Sequence, residues 1–238
     1  MDFIIKNEAG QSLRYEVNYD EETVTVYKDE DNEPEGSLVI SESVTHDGET
    51  YRVTSIGDEA FYGCAELTEV FIPASVEEIE YSAFGECFAL ENINVDDDNS
   101  TYKSVDGVLY QMDDDTLTPL YCPEGKTSVN LPASVEAFFE EEEDCYAETV
   151  FQNCEKLTEI NVDEDNSNYK SVDGIIYSCR GGEVTLAFCP QGKSGYLSIP
   201  DCGDGIIGNG AFCGCNELTS VIIPNSITEI YSSFRNCE

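Results

Sequence analysis

The sequence predicts a β-solenoid, a stack of short coils that each lay one strand beside the equivalent strand of the next. Three observations predict it. A motif of Ile, Ala-Phe, Cys, Leu and spaced aliphatics recurs: Ile56, Ala60, Phe61, Cys64, Leu67, Val70 and Ile72 return 23 residues later as Ile79, Ala83, Phe84, Cys87, Leu90, Ile93 and Val95. A different unit is nested in the array, "NSTYKSVDGVLY" from Asn99 to Tyr110 returning as "NSNYKSVDGIIY" from Asn166 to Tyr177, 67 positions on. In "LTEVFI" (Leu67 to Ile72) the aliphatics Val70 and Ile72 alternate with Glu69 and Phe71, and period two means a strand with one face inward. One such unit cannot bury its apolar side alone, whereas stacked units can.

The elements follow in order. Residues 1–52 read as an N-terminal β cap: "SLRYEVN" and "TVTVYK" alternate and flank "YDEE", a hairpin. "LVISESV" (Leu38 to Val44) mimics "VFIPASV" and supplies a first strand over the open end of the core. Repeats 1 and 2 occupy 53–98. Pro73 ends the first main strand because proline cannot donate to a ladder. "VEEI" (Val76 to Ile79) is a second short extended piece, and "SAFGEC" a single turn of α- or 3-10 helix. Residues 99–134 form a hairpin insert, "GVLYQ" and "LTPLYC" around Asp113 to Asp115; 166–202 form another, "GIIYSC" and "VTLAFC" around "RGGE". Both are expected to project from one edge, since insertions in repeats map to loops. Repeat 3 (135–165) carries Phe151, Cys154, Leu157, Ile160 and Val162, with Glu136 to Phe151 reading as an acidic bulge with a helical turn. Repeats 4 and 5 (203–238) carry Ile207, Ala211, Phe212 and Cys215, then Ile230, Phe234 and Cys237. The whole is expected to be one domain, 1–238. The last repeat stops part-way and no leader-like stretch opens the chain, so the expectation is an incomplete chain, or an intracellular one.

The stretches "SIGDEAFYGCAELTEVFIPASV" and "IIGNGAFCGCNELTSVIIPNSI", with "GETYRVTSIGDEAF" and the inserts "YKSVDGVLY" and "YKSVDGIIY", resemble the leucine-rich repeat, specifically the BspA-like subclass of bacterial and protozoan surface proteins. The resemblance spans nearly the whole chain. It implies a right-handed leucine-rich-repeat solenoid: parallel β-strands with short α or 3-10 turns, mainly β, with a β-hairpin cap and two hairpin inserts. It also implies a cell-surface or secreted, adhesin-like module that contacts protein or glycan ligands, host extracellular-matrix or cell-surface proteins among them. The alternatives are an interaction scaffold, intracellular or secreted, without an adhesive role, and a calcium-stabilised structural module.

Composition narrows the partners. Eleven Lys and Arg against 50 Asp and Glu give a formal charge of −39. Such a field repels phosphate, which argues against nucleic acid and anionic membrane surfaces. It favours solubility and cationic partners. No apolar run approaches a membrane span.

Catalytic signals are weak. His46 is the one histidine, and neither G-x-S-x-G nor a phosphate loop is present; no enzyme activity and no cofactor are expected. Of the 11 cysteines, Cys64, Cys87, Cys154, Cys215 and Cys237 share one repeat position. In-register neighbours sit about one strand spacing apart, so disulfides are conceivable by distance, but in leucine-rich repeats that slot commonly holds Asn or Cys facing loop backbone, and these are expected to be a ladder of buried free thiols. Cys122 and Cys189 are equivalent positions of two separate hairpins, so packing is expected of them over pairing. Cys213-x-Cys215 lacks a second ligand pair, so no metal site is expected. "DDDNST" (Asp96 to Thr101) and "DEDNSN" (Asp163 to Asn168) lack the Gly and Glu of an EF-hand loop and read as Asx-rich turns. Candidate binding residues are therefore the outward positions of the main strands: Glu69, Phe71, Asn92, Asn94, Glu159, Asn161, Ser220 and Ile222. Tyr102 and Tyr169 are expected to pack the inserts onto the coils.

Overall fold

Alternating side chains set the first strands, and a computed structural model of the chain describes residues 1–80, 82–136, 150–151, 153–180, 184–201 and 205–237. The structure is mostly β, and the chain divides into two units, Met1–Met112 and Asp113–Glu238.

In the first unit β1 (Asp2–Lys6), β2 (Ser12–Asn18) and β3 (Thr23–Lys28) form an antiparallel meander. Leu13, Tyr15 and Val17 on β2 and Val24 and Val26 on β3 are its buried face. The direction then changes: β3 pairs parallel with β6 (Glu49–Ile56), and β6 parallel with β8 (Glu78–Ile79). β5 (Ser43–His46) returns antiparallel onto β6 through Asp47-Gly48, both at positive φ, the turn that matches strand twist. A second row, β4 (Gly36–Val39), β7 (Leu67–Ile72) and β9 (Asn92–Val95), is parallel throughout. Leu67, Val70 and Ile72 point inward, as their spacing requires. Between the rows the Phe61 and Phe84 rings stack at 5.7 Å and 8°.

The connecting "AF" segments correct one expectation. They are chains of tight turns and not helical turns. Tyr62 N donates to Glu59 O, Cys64 N to Phe61 O and Gly85 N to Ser82 O, all three residues back. Glu59, Gly63, Ser82 and Glu86 stand at positive φ, and left-handed residues stop a right-handed helix from propagating. Successive turns instead bond to one another, Phe61 N to Ala83 O (2.8 Å) and Gly63 N to Gly85 O (2.9 Å).

The insert hairpin is the second correction. β10 (Tyr102–Val105) and β11 (Val108–Asp113) pair antiparallel around Asp106-Gly107. They do not simply project. Gly107 O accepts from Ile93 N (3.0 Å) and Ser104 Oγ from Val95 N (3.2 Å), so the hairpin lies on the free edge of β9. An uncovered strand edge is an aggregation hazard, and this one is covered.

The second unit repeats the scheme. β12 (Thr116–Tyr121) leads to β13 (Ser128–Leu131), which is parallel to β14 (Glu159–Val162). β15 (Tyr169–Val172) and β16 (Ile175–Ser178) form a hairpin around Asp173-Gly174. Gly174 O accepts from Ile160 N (3.1 Å) and Ser171 Oγ from Val162 N (3.0 Å), the same covering contact. β17 (Val184–Phe188) is antiparallel to β16, but parallel to β19 (Gly205–Ile207), which is parallel to β21 (Ile227–Ile230). β18 (Gly195–Ser198) pairs parallel with β20 (Leu218–Ile222). Phe151 stacks on Phe188 at 5.0 Å and Phe212 on Phe234 at 4.8 Å. The acidic bulge expected from Glu136 to Phe151 falls mainly on 137–149, and the "RGGE" turn on 181–183, both outside the described residues.

Candidate functional site

Strand pairing places the candidate residues in rows. In the first unit the register sets Ser37, Glu69 and Asn92 side by side, and Val39, Phe71 and Asn94 beside them. Asn94 Nδ2 donates to Glu69 Oε1 at 2.9 Å, tying the two rows. Phe71 is 39% and Val39 49% exposed, adjacent apolar side chains on an outward face. In the second unit Glu159 pairs with Ser128 and Asn161 with Asn130, Asn161 Nδ2 donating to Asn130 Oδ1 at 3.3 Å. On the β18–β20 sheet Ser220 sits beside Tyr196 and Ile222 beside Ser198, with Tyr196 63% and Ile222 50% exposed. A shallow open cleft of about 270 Å³ lies next to Tyr196, lined also by Lys193, Ser194 and Thr158.

The eight sequence candidates thus fall on three sheets, four on β7 and β9 and two each on β14 and β20. Sequence reasoning missed Val39, Tyr196 and Asn130 as their neighbours. The signal for Val39 was available, since "SLVI" aligns with "EVFI" and puts Val39 at the Phe71 position.

The remaining candidates make contacts within the fold. Tyr102 and Tyr169 are buried. The Tyr102 hydroxyl accepts from Ile79 N at 3.0 Å, and burial raises its pKa, that bond partly opposing. The acidic runs form Asx turns, with Asp96 Oδ1 accepting from Asp98 N and Asp163 Oδ1 from Asp165 N, each at 2.9 Å. His46 stacks on Phe3 at 4.2 Å and 3°, with Nε2 3.5 Å from Asp47 Oδ2. Among the described residues no group of three or more His, Cys, Asp or Glu is placed to hold a metal ion. No helix among them is long and apolar enough to cross a membrane.

The repeat-position cysteines bond backbone. Cys87 Sγ donates to Phe61 O (3.2 Å) and Cys237 Sγ to Phe212 O (3.0 Å), each reaching the preceding turn. Cys64 is buried, which pushes its pKa up to about 11 and keeps it a thiol. Cys237 is exposed, unlike the other members of the set.

Sequence comparison decides the family. The BspA type leucine rich repeat region matches in six copies over residues 43–111 and 187–238, about half of the chain. The chain belongs to this family. No curated protein matches the sequence closely enough to count as a relative. Among solved structures, this BspA-type chain is similar to a leucine rich cell surface protein from Faecalibacterium prausnitzii, at 20% identity and a TM-score of 0.39, with 96% of this chain and 72% of that one covered. It is also similar to a leucine-rich repeat protein from Eubacterium ventriosum, at 16% and 0.49, covering 97% and 62%. The pneumococcal vaccine antigen PcpA gives 16% and 0.49, covering 94% and 71%. The chain therefore spans between about three-fifths and three-quarters of these proteins.

Proposed function

We propose that this BspA-type chain is a non-catalytic interaction module, displayed at a cell surface or secreted, that captures a protein or glycan through the outward face of its main strands. In this reading each unit is built of leucine-rich-repeat coils, with residues 1–52 as cap and the two inserts as edge covers. The observation that carries the function is the pair of exposed apolar sites, Val39–Phe71 in one unit and Tyr196 with Ile222 in the other, on strands whose other outward positions are polar. Polar residues would serve a mere surface at these positions, and exposed aromatics are favoured anchors. A row of equivalent strands is also a rigid, extended surface, the geometry on which repeat proteins bind. The charge of −39 favours ligands with basic patches, so binding should weaken with salt.

The test is binding of the chain to a panel of immobilised extracellular-matrix proteins and a glycan array, comparing wild type with Phe71→Glu plus Ile222→Glu. Loss of affinity of about tenfold or more on the recognised ligand supports the face. Unchanged capture by the double variant discards it.

A further inference from the structure

The repeat cysteine meets a different neighbour in two places of the second unit. Phe61 N donates to Ala83 O and Phe212 N to Ser233 O, while Cys122 N donates to Val150 O and Cys189 N to Ala211 O. Cys122 and Cys189 therefore stand in the backbone slot that phenylalanine fills elsewhere. The cysteine of the following turn then reaches them as Cys87 reaches Phe61. Cys154 Sγ lies 3.6 Å from Cys122 O, and Cys215 Sγ 3.5 Å from Cys189 O. Each pair also shares one acceptor: Cys122 and Cys154 sulfurs lie 3.8 and 3.9 Å from Pro123 O, and Cys189 and Cys215 sulfurs 3.9 and 3.8 Å from Pro190 O.

We propose that Cys122–Cys154 and Cys189–Cys215 are sites of disulfide formation, closed when the chain folds in an oxidising compartment. The same geometry arises twice, 67 positions apart, because both nested units place Cys-Pro at that slot. Adjacent turns are about one strand spacing apart, within the reach of a disulfide. Each closure forms one S–S bond. Two protons leave, and two electrons pass to a disulfide-class oxidant, which is reduced to two thiols. In the first unit Phe61 holds the slot, and Cys87 Sγ reaches its carbonyl at 3.2 Å. Timing follows from burial: all four cysteines are buried. The neighbouring thiol and desolvation both push the Cys154 and Cys189 pKa up. Thiolate is scarce once the turns have closed, so exchange belongs to the folding chain.

The inference uses surface display only as the place where oxidant is met, and its test reads sulfur chemistry without any ligand. The full chain is produced in bacterial periplasm and, separately, in reducing cytosol. Remaining thiols are alkylated in denaturant, and the chain is cut with trypsin without reduction. Lys126 separates Cys122 from Cys154, Lys156 closes the second peptide, and Lys193 separates Cys189 from Cys215. The periplasmic chain should give peptide 104–126 joined to 127–156 and 181–193 joined to 194–235, with fragment sequencing placing the links on Cys154 and Cys215. It should melt roughly 5 °C or more above the cytosolic chain. Cys122→Ser should lose the first link alone and Cys189→Ser the second alone. Alkylation of all four cysteines in periplasmic protein, or links to Cys145, Cys202, Cys213 or Cys237 in their place, would overturn the proposal.

Discussion

Asn99 and Asn166 hold the same post, 67 positions apart. Asn99 Nδ2 donates to Pro73 O (3.0 Å) and Val76 O (2.9 Å), while its Oδ1 accepts from Thr101 N and Tyr102 N. Asn166 Nδ2 donates to Pro132 O, Ala133 O and Val135 O, and its Oδ1 accepts from Asn168 N and Tyr169 N. One amide thus ties the start of an insert to the end of an earlier strand. Asn99 is buried, so truncation orphans backbone groups that water does not reach. Asn99→Ala should cost about 2–3 kcal/mol in urea denaturation, and Asn99→Asp no less, because a carboxylate cannot donate to the two carbonyls. A loss below about 0.5 kcal/mol would remove the latch from the account.

Val70 and Phe71 are neighbours with opposite duties. Val70 is fully buried between the strand rows, whereas Phe71 faces out. Val70→Ala should destabilise by about 2 kcal/mol through its cavity. Phe71→Ala should change stability by less than about 1 kcal/mol while weakening ligand capture. Equal stability losses from the two would mean that the strand face is assigned wrongly.

The acidic turns should be indifferent to calcium. Asp96 and Asp163 already spend a carboxylate oxygen on the backbone N–H two residues on, and no three-ligand cluster forms among the described residues. The melting temperature in millimolar calcium and in chelator should agree within about 1 °C. A rise of several degrees with calcium would restore the calcium-stabilised alternative.

How much of this was legible in the sequence depends on range. Val70 and Ile72 against Phe71 needed only period two, and the parallel pairing of β7 with β9 needed only the 23-residue repeat. Asp96 and Asp163 could be read locally because an Asx turn closes within three residues. The latches of Asn99 and Asn166 could not, since their acceptors lie 23 or more residues back. The same holds for the hairpin tip: "DG" announces the turn, but nothing local says that Gly107 O will cover Ile93 N. Phe188 was read as hairpin strand although "AF" precedes its Cys-Pro, and it supplies the ring over Phe151. Of the candidate face, alternation located the eight residues, whereas Tyr196 joined them only through the pairing of β18 with β20.

Gly107 and Gly174 are where the insert hairpins cannot accept a side chain. Both sit at positive φ, +74° and +72°, which L-residues with a Cβ rarely adopt. A Cβ on Gly107 would meet Asn92 Oδ1 at 2.5 Å and Asn92 Cα at 3.2 Å; one on Gly174 would meet Glu159 Cγ at 2.9 Å and Glu159 Cα at 3.0 Å. Gly107→Ala should therefore cost roughly 2 kcal/mol or more, and Gly10→Ala, at positive φ but with open space, only the backbone strain of about 1 kcal/mol. Equal losses at the two positions in matched urea melts would show that the hairpin tip does not press on β9.

Tyr15 offers a pH test of the N-terminal meander. Its ring is fully buried, and its hydroxyl finds no hydrogen-bond partner among the described residues. Burial pushes its pKa up to about 12, against about 10 for an exposed tyrosine. Below pH 10 the hydroxyl is protonated in both folded and unfolded chain, and the group exerts no pH dependence. Between pH 10 and 12 the unfolded chain ionises and the folded one resists, so the unfolded state binds fewer protons and stability falls as pH rises. The loss from this one group should approach about 2 kcal/mol by pH 12. Tyr15→Phe removes both the titration and an unsatisfied hydroxyl. It should leave stability at pH 7 equal or up to about 1 kcal/mol higher, and flatten the alkaline limb relative to wild type. A Tyr15→Phe chain markedly less stable at pH 7, with the same alkaline slope, would mean that the hydroxyl is bonded and the phenol titrates as if exposed.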